Sequence, residues 1–446
     1  MKNYLLILSV FAGISVFAQP RPMTLKDCME YALEHSTDMT IQTADNADSR
    51  IDRRTAILSA FTPEISANSD AYYQFGRSVD PETNTYRVET SFHNGYEAVA
   101  GIELFNGFQA IDNIKIARTS VAMGKTAEQQ LRDKICLAVM EAYYNAVYYS
   151  KLTDNLRSQV ETAKNSLSLA ERQEELGQKG HADVIQIKAD LADREYQLVN
   201  TDNTRKDALL TLQSIMLWPV EDELIIDTDL CEVEQTLTDN YELEDIISKA
   251  IIMTPSALLA KGNLEIAKHQ LHTAKWQLAP RLTLYGVIKT SYYTYPNDKS
   301  HVGPSYKQML KDKMGESVQL SMSIPIYSGL SRQAKISKSR NEVRRAAARY
   351  DRAVKDVESE VMRAMNDREG AAAEYLSAER REEVQEEAFA LNQRKFDLGM
   401  ISPIEYRTAA DNYIKAMADK IGAQLRLRLK TSVVNYYNGI SYIDQL

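Results

Sequence analysis

The sequence predicts a mainly α-helical protein that also contributes a few strands to a membrane β-barrel closed by several copies of the chain. Three observations support this fold class. Two proline-free stretches, between Gly107 and Pro219 and between Pro325 and Pro403, carry a helical periodicity. Four short segments alternate apolar and polar residues with a period of two. The whole pattern occurs twice, which indicates a tandem internal repeat.

The repeat is carried by four landmarks that recur in the same order. FTPEISAN recurs as LAPRLTLY, LFNGFQ as IYSGLS, and QEELGQKGHADV as KFDLGMISPIEY. The matched residues are Pro63 and Pro280, Gly107 and Gly329, Leu176-Gly177 and Leu398-Gly399, and Leu25 and Leu243, at offsets of 217 to 222 residues. We therefore divide the chain into a signal peptide at 1–18, a first repeat at 19–217, an acidic linker at 218–241 and a second repeat at 242–446. Each repeat is predicted to contain a helix, a strand pair and a long helical hairpin.

The first residues have the layout of a secretory signal peptide. Lys2 precedes an apolar run from Tyr4 to Phe17, and the small Ala18 closes that run before Gln19. This layout predicts export from the cytoplasm, with a mature chain that begins at Gln19. After it, no stretch approaches the roughly 20 apolar residues that a membrane-spanning helix needs. If the protein spans a bilayer, it must therefore do so with strands.

The alternating segments indicate strands with one apolar face and one polar, water-exposed face. The clearest of them sets Val318, Leu320, Met322 and Ile324 against Ser317, Gln319, Ser321 and Ser323. Lipid on one side and a lumen on the other require this alternation, although a soluble sandwich shows it too. Four strands cannot close a barrel alone, because about eight is the small limit. An open edge in lipid would leave backbone groups unpaired, so several chains must share one barrel.

The proline-free stretches carry small or apolar residues at steps of three and four, which is typical of a coiled-coil seam. The seam of the first repeat is Leu131, Ile135, Ala138, Ala142, Asn145, Tyr149, Leu152, Leu156, Val160, Ala163, Leu167 and Ala170. The seam of the second is Ala347, Tyr350, Val354, Val357, Val361, Ala364, Ala371, Tyr375 and Ala378. Because many positions are alanine, we expect each helix to have more than one neighbouring helix. A helix from Leu330 to Leu398 would measure about 100 Å.

Two tandem halves of this kind, behind a signal peptide and with LGQKGHADV and LGMISPIEY at the helix turns, resemble the outer membrane efflux protein family typified by TolC. The resemblance implies a homotrimer whose twelve strands form one β-barrel in outer-membrane lipid. It also implies that long antiparallel coiled-coil hairpins form an α-barrel through the periplasm of a Gram-negative-type envelope. The implied partners are a periplasmic adaptor (membrane fusion) protein and an inner-membrane pump. The implied function is a passive export duct for efflux or type I secretion.

The resemblance places the two glycine turns at hairpin tips that dock onto the adaptor. The matching residues are Leu176, Gly177, Leu398, Gly399, Ser402 and Pro403. Local chemistry agrees, because glycine ends a helix in the left-handed conformation and proline is tolerated in the first turn of the next helix. Ser402 is the expected N-cap of that helix, with Glu405 three residues later.

The resemblance further implies that acidic residues constrict the entrance of the duct. The matching acidic positions are Asp183 and Glu405. A later acidic position of the family falls on Thr408, with Asp411 one turn further, and these two complete the candidate set. Three copies of Glu405 in a narrow lumen would favour cations and raise some of their own pKa values. The alternative is that these are solvated charges near the positive end of a helix dipole. The tyrosine and arginine that lock the entrance in the family fall here on Phe396 and Ile401, which cannot make the same bond.

Other candidate chemistry is sparse. His269 and His272 lie three apart on a predicted helix, but no third ligand is evident near them in the sequence, so an exposed pair is favoured over a metal site. Cys28, Cys136 and Cys231 have no metal or disulfide spacing and are expected to be small buried residues. No catalytic residues, phosphate loop or cofactor are predicted. The net charge of −9 argues against nucleic acid as a partner.

Two groups of tyrosines suggest different roles. Tyr143, Tyr144, Tyr148 and Tyr149 lie in the first long helix, where packing is expected. Tyr292, Tyr293 and Tyr295 lie beside a loop and better suit an interfacial aromatic girdle.

The rival interpretation is a soluble periplasmic coiled-coil scaffold or adaptor protein. An adaptor would normally show one helical hairpin flanked by small β domains, whereas this sequence has two hairpins and two strand pairs in tandem. The sequence does not identify the exported substrate, because a duct accepts what its pump delivers.

Overall fold

The computed structural model describes residues 22–80, 84–229, 242–298 and 303–445. The predicted signal peptide, Cys231 and the second half of the predicted acidic linker lie outside these residues. The helices are α1 Leu25–His35, α2 Thr37–Phe61, α3 Gln109–Glu175, α4 His181–Met216, α5 Leu243–Met253, α6 Pro255–Trp276, α7 Tyr306–Asp312, α8 Ser331–Asp397 and α9 Pro403–Tyr437. The strands are β1 Glu64–Gln74, β2 Arg77–Val79, β3 Tyr86–Val88, β4 Ser91–Phe105, β5 Arg281–Thr294 and β6 Gly315–Ser323. The chain is therefore mostly helical, as predicted.

Four strands form one antiparallel sheet in the order β1-β4-β5-β6. Two of them come from the first half of the chain and two from the second. The short strands β2 and β3 form a separate hairpin between β1 and β4. Within the described part of the chain, β1 and β6 each have a strand partner on one side only, so the sheet has two open edges.

The register of the sheet sorts the residues into an apolar and a polar face. One row across the four strands pairs Ile65 with Ala100, Ala100 with Gly286, and Gly286 with Val318. The next row on the same face contains Ile102, Leu284 and Leu320. The opposite face carries a row formed by Asn68, Glu97, Lys289 and Gly315. The period-two pattern of the sequence is thus reproduced by the strands, because neighbouring residues point to opposite faces.

The apolar face of the sheet is uncovered in the single chain. Ile65 is 74% exposed and Val318 is 81% exposed, and Leu320 and Met322 are also exposed. Every residue of β1 is exposed. A soluble sandwich would bury this face against a second sheet. The four strands instead form one sheet whose apolar face is exposed along β1 and β6, while Tyr306 of α7 contacts Tyr96 and Tyr292 on that face.

The loops between the strands contain structure that the sequence did not predict. Helix α7 packs on β5, and its Met309 is buried together with Tyr293 and Tyr295. Lys313 lies 3.9 Å above the ring of Tyr293, and Arg87 lies 5.0 Å from the ring centre of Tyr295. The predicted interfacial girdle is therefore wrong for these two tyrosines, because a helix and cationic side chains of the same chain cover them.

The long helices α3 and α8 each contain 67 residues, which confirms the length predicted for the second of them. Among the residues that the structure describes, none of the helices combines the length and the apolar character needed to traverse a bilayer. The second seam is largely confirmed by the burial of Val357, Val361, Ala364, Ala371, Tyr375 and Ala378.

The first seam is displaced by one residue over part of its length. Leu156, Val160, Ala163 and Ala170 are buried as predicted. Earlier along α3 the predicted Ala142 is buried, but the other buried residues are Asp133, Cys136, Val139, Met140, Tyr143, Tyr144, Ala146, Val147, Ser150 and Thr153, while Asn145 is exposed. The physical reason is that residues of α1, α4 and α9 join the same buried cluster, so this part of α3 buries a broad surface rather than a single seam.

The chain divides into two compact units, each drawn from both halves of the sequence. The first comprises Met1–Thr40, Gln130–Met253 and Glu358–Leu446. Its core contains Met29, Met140, Leu212 and Met216, all less than 2% exposed. The side chain of Tyr143 is buried there and donates a 2.6 Å hydrogen bond to the carbonyl of Asp227. Packing is therefore the role of this tyrosine, as predicted.

Two of the three cysteines lie in the same core. Cys28 and Cys136 are buried and free. Burial raises the pKa of the Cys28 thiol to about 12 and that of Cys136 to about 11, so both remain protonated at neutral pH. The expectation of small buried residues is confirmed for these two.

The second compact unit comprises Ile41–Gln129 and Thr254–Val357 and contains the sheet. Helix α2 packs closely on α3 here, because a Cβ at Gly124 would lie 2.3 Å from Oδ1 of Asn46. The amide of Asn46 donates a 2.8 Å hydrogen bond to Glu128. The turn between β4 and α3 packs on the end of α6 through an edge contact of Phe108 with Trp276.

The turns that follow each strand pair share an unusual backbone. Gly107 and Phe108 have positive φ angles of 69° and 61°, and Gly329 and Leu330 have 59° and 63°. These are landmarks of the predicted tandem repeat, which itself stays a prediction. Only Gly107 is also sterically enclosed, with Trp276 O 2.7 Å from the position of a Cβ.

We predict that Gly107→Ala destabilises the protein more than Gly329→Ala. Both changes place a side chain in the left-handed region, at a cost of about 1 to 2 kcal/mol. Only Gly107→Ala adds overpacking, worth about 1 to 3 kcal/mol more, because a Cβ at Gly329 meets nothing within 4 Å. Urea unfolding followed by circular dichroism measures the difference. Equal losses for the two variants would contradict the close contact with Trp276.

Candidate functional site

The two hairpin turns have the same backbone geometry. Gly177 and Gly399 have φ angles of 72° and 70°. The amide of Gly177 donates to the Glu174 carbonyl at 2.8 Å, and the amide of Gly399 donates to the Phe396 carbonyl at 2.9 Å. In both turns the next amide reaches five residues back, at 2.8 Å. This is the Schellman pattern that ends a helix with a left-handed glycine, so the predicted helix ends are confirmed.

The helix after the second turn begins with the predicted cap. The hydroxyl of Ser402 accepts from the amide of Glu405 at 3.3 Å, and the Glu405 carboxylate accepts from the amide of Ser402 at 2.8 Å. Pro403 occupies the first helical turn. This reciprocal pair is a capping box, and it satisfies two amides that the helix itself leaves unpaired.

The capping box changes the acidity of Glu405. Hydrogen bonds from the Ser402 amide and hydroxyl, with a smaller contribution from Lys395, lower the pKa of Glu405 below its ordinary 4.5. Because the folded-state pKa is lowered, this contribution to stability is present above pH 4.5 and is lost as the pH falls through the lowered pKa. In the single chain, Glu405 is thus a helix-terminal charge, as in the alternative interpretation of the sequence.

The first turn is built differently. Gly180 is the N-cap of α4 and offers no side-chain acceptor. His181 instead contacts Glu174 across the turn, with Nδ1 2.7 Å from Oε1. Asp183 lies in the first turn of α4 and is partly exposed. It complements the positive end of the helix dipole.

Both turns present apolar side chains to solvent. Leu176 and Leu398 are 67% and 74% exposed, and Met400 and Ile404 beside the second turn are also exposed. Surface leucines are common singly, but an exposed group at equivalent turns is typical of a contact surface. The tip residues named by the resemblance are thus accessible in the single chain.

Phe396 contacts both hairpins near the turns. Its ring stacks on Tyr406 of α9 at 4.6 Å. Lys179 of the first turn lies 4.9 Å from the ring centre of Phe396. The ring also packs against a small buried cluster formed by Ala170, Val184 and Ile187. At this position, which the resemblance matches to a locking residue, Phe396 therefore stacks within its own hairpin and makes apolar and cation–π contacts with the first hairpin.

One turn further along α9, an ionic network joins the helices. Arg194 of α4 is buried, and its Nε lies 2.9 Å from Oδ2 of Asp190. Arg407 of α9 lies 2.6 Å from Asp193 and 3.4 Å from Asp190. Asp411 lies 3.7 Å from both arginines. Three carboxylates and two guanidinium groups thus connect α4 to α9.

The network sets the protonation of Asp411. Burial raises the pKa of Asp411, while Arg194 and Arg407 oppose that rise and two neighbouring aspartates add to it. Asp411 is therefore paired within its own chain. Thr408, the other later candidate, is exposed and donates a 2.9 Å hydrogen bond to the carbonyl of Ile404.

The sequence reasoning named Asp411 but missed its partners. Asp190, Asp193, Arg194 and Arg407 were not singled out. A usable signal was present, since DLADR and RTAAD place opposite charges four residues apart on the corresponding helices of the two halves. Local spacing alone does not reveal that the two segments contact each other in the fold, because Arg407 and Asp193 are 214 residues apart in the sequence.

The histidine pair differs from the sequence-based expectation. Asp112 of α3 lies 2.9 Å from Nδ1 of His269, and His272 lies one turn further along α6. The expectation that no third ligand lies nearby is therefore wrong. It failed because Asp112 is 157 residues away in the sequence.

Comparison with known proteins agrees with this architecture. The model of the outer membrane efflux protein family matches residues 246–434. Protein CyaE of Bordetella pertussis is 25% identical over 301 residues, which covers 67% of this chain and 60% of CyaE. The match thus spans less than two thirds of the length of that relative.

Solved structures show the same fold over most of the chain. The Campylobacter jejuni CmeC outer membrane channel superposes with a TM-score of 0.76 and 14% identity, covering 94% of this chain and 85% of CmeC. The outer membrane protein VceC of Vibrio cholerae gives 0.72 and 14%, covering 93% of this chain and 96% of VceC. At these identities the likeness shows the fold.

We predict that Ser402→Ala opens the first turn of α9. Loss of a serine N-cap costs about 1 kcal/mol, which corresponds to about fivefold faster hydrogen exchange of the Glu405 amide. Exchange read by mass spectrometry on the peptide that contains Glu405 measures it. Ser402→Asn, which keeps an acceptor, should restore protection, and Thr408→Ala should leave it unchanged. Unaltered exchange in Ser402→Ala would contradict the cap.

Proposed function

Residues 246–434 belong to the outer membrane efflux protein family, and on that premise we propose that this chain is one subunit of a passive export duct in the outer membrane. The duct is a homotrimer that serves a tripartite efflux or type I secretion system. It is a conduit rather than an enzyme. The direction and energy of export come from an inner-membrane pump.

The uncovered sheet is the observation that carries this proposal. Its apolar face is exposed along β1 and β6, and both outer edges carry backbone groups without a strand partner among the described residues. Exposed apolar surface of this extent favours contact with lipid. Lipid offers no hydrogen-bond partners, so the free backbone groups at these two edges must pair with another strand. Both requirements are met if the sheets of several chains join edge to edge.

Three copies of the four-stranded sheet supply a twelve-stranded barrel. A barrel of about eight strands is filled by its own side chains, so twelve strands leave room for a lumen. The order β1-β4-β5-β6 is antiparallel throughout, so β6 of one copy would meet β1 of the next in antiparallel orientation, as closed membrane barrels require. The polar face, which includes Glu97 and Lys289, then lines the lumen.

The long hairpins continue the duct through the periplasm as an α-barrel. Their exposed tips, Leu176-Gly177 and Leu398-Gly399, dock onto a periplasmic adaptor. Ser402 caps α9 and Pro403 occupies its first turn, so both residues restrain the backbone of the second tip. The apolar character of the tips suits a partner that buries them on assembly.

The acidic residues near the tips are proposed to constrict the entrance. Glu405 and Asp183 lie in the first turns of α9 and α4, where a ring of three copies would present negative charge. Asp411 acts through its ion pairs with Arg194 and Arg407, which hold α9 against α4. Thr408 contributes a neutral position between them. A narrow ring of carboxylates favours cations.

We predict that the chain forms trimers in detergent extracts of the outer membrane. Native mass spectrometry should give three copies, and the trimer should dissociate only on heating in dodecyl sulfate. The rival scaffold or adaptor predicts a folded protein that stays in solution without detergent. Recovery of a stable monomer in plain buffer would therefore reject the duct.

We also predict that Glu405→Gln lowers the cation preference of the channel. At pH 7 the carboxylate is charged, because its pKa lies below 4.5 in the single chain. Reversal potentials in planar bilayers under a salt gradient measure the preference. Glu244→Gln, which alters another first-turn carboxylate in α5, is the matched control and should have no effect. Identical behaviour of Glu405→Gln and the control would show that Glu405 does not line the constriction.

A further inference from the structure

We infer that Asp112, His269 and His272 form a binding site for a divalent transition metal. Asp112 lies near the start of α3, and both histidines lie on α6. The potential ligand atoms of the three side chains lie within 4.8 Å of one another. Among the residues that the structure describes, no other group of three or more histidine, cysteine, aspartate or glutamate side chains meets this distance criterion.

The donor set determines which metals suit the site. Two imidazoles and one carboxylate are borderline ligands that bind Zn²⁺, Co²⁺, Ni²⁺ and Cu²⁺ rather than Ca²⁺ or Mg²⁺. Three protein ligands leave at least one coordination position for water. Ligand atoms in a tetrahedral zinc site are about 3.4 Å apart, as bond lengths near 2.1 Å require. The remaining adjustment falls on His272, which is the exposed member of the three.

The contact between Asp112 and His269 is already formed. Nδ1 of His269 donates to Oδ1 of Asp112 at 2.9 Å. The Asp112 side chain is only 6% exposed and that of His269 is 21% exposed, so the pair is held in a largely desolvated position. The rings of His269 and His272 are 6.3 Å apart and nearly perpendicular. A metal that takes both Asp112 and Nδ1 of His269 as ligands displaces the proton between them, which moves to Nε2 of the neutral imidazole.

The surrounding backbone keeps the two helices in place. Gly107, just before α3, packs so closely on α6 that a Cβ there would lie 2.7 Å from the Trp276 carbonyl oxygen. Phe108 makes an edge contact with Trp276 at 5.0 Å. Helix α3 follows β4, and α6 precedes β5, which are neighbours in the sheet. A bound metal would therefore cross-link α3 and α6, the two helices next to the central strand pair of β4 and β5.

The test uses the full chain, purified in detergent without a histidine tag and stripped with a chelator. Titration with Zn²⁺ by isothermal calorimetry should give one equivalent per chain. Binding should be at least tenfold weaker in His272→Gln and in Asp112→Asn. Because Asp112 is buried and its replacement could unfold the chain, the exposed His272 is the decisive variant. Zn²⁺ should also raise the melting temperature of the unaltered chain but not that of His272→Gln.

His181→Gln is the matched control. His181 also pairs with a carboxylate, Glu174, at 2.7 Å, and should be dispensable for Zn²⁺ binding. Co²⁺ provides a second readout, since its visible absorption reports bound nitrogen ligands and should disappear in His269→Gln. The inference is overturned if the unaltered chain binds no Zn²⁺, or if His272→Gln binds it as tightly as His181→Gln.

Discussion

The uncovered apolar face of the four-stranded sheet is the constraint on which the rest of the account depends. Apolar residues from all four strands lie side by side on this face, and Ile65 and Val318 on its two edge strands are 74% and 81% exposed. Burying such surface is worth about 25 cal/mol per Å² of apolar area removed from water. The unpaired edges of β1 and β6 add backbone groups that need partners. Under the proposed function, lipid covers this surface and further copies of the chain pair with these edges.

The hairpin turns show how local sequence chemistry determines the positions of the candidate functional residues. A left-handed glycine ends each long helix, and a serine cap with proline begins α9. These devices act within a few residues, so they fix where a tip lies along the chain. Contacts between hairpins join residues far apart in the sequence and include the cation–π contact of Lys179 with Phe396 and the network around Arg194. The cost of leaving Arg194 buried without carboxylates would be several kcal/mol, so the network constrains how α4 and α9 pack.

Much of the fold was predictable because its signals are local. Period-two alternation located the four strands of the sheet, and Ser402 followed by Glu405 located the start of α9. The glycines at 177 and 399 were read correctly because few other residues adopt a positive φ at little cost. The absence of proline between Pro325 and Pro403 was consistent with the length of α8.

The errors arose where burial depends on distant segments. The seam of α3 was displaced by one residue near Cys136 because the helix there is surrounded by several others, and periodicity reports only a single buried stripe. Tyr293 was assigned to a girdle because α7, which covers it, has no strong sequence signal. The pairs of Arg407 with Asp193 and of His269 with Asp112 join residues 214 and 157 positions apart. Only the folded chain brings these side chains together.

The orientation of the sheet can be measured directly. Val318 and Gln319 are adjacent and exposed on opposite faces of β6. Each would be replaced by cysteine and labelled with a bimane dye in a chain whose Cys28, Cys136 and Cys231 are alanine, then reconstituted into vesicles. The account predicts that the dye at 318 is quenched by lipids with brominated acyl chains and not by aqueous iodide, and that the dye at 319 behaves in the opposite way. Equal access of iodide to both positions would contradict it.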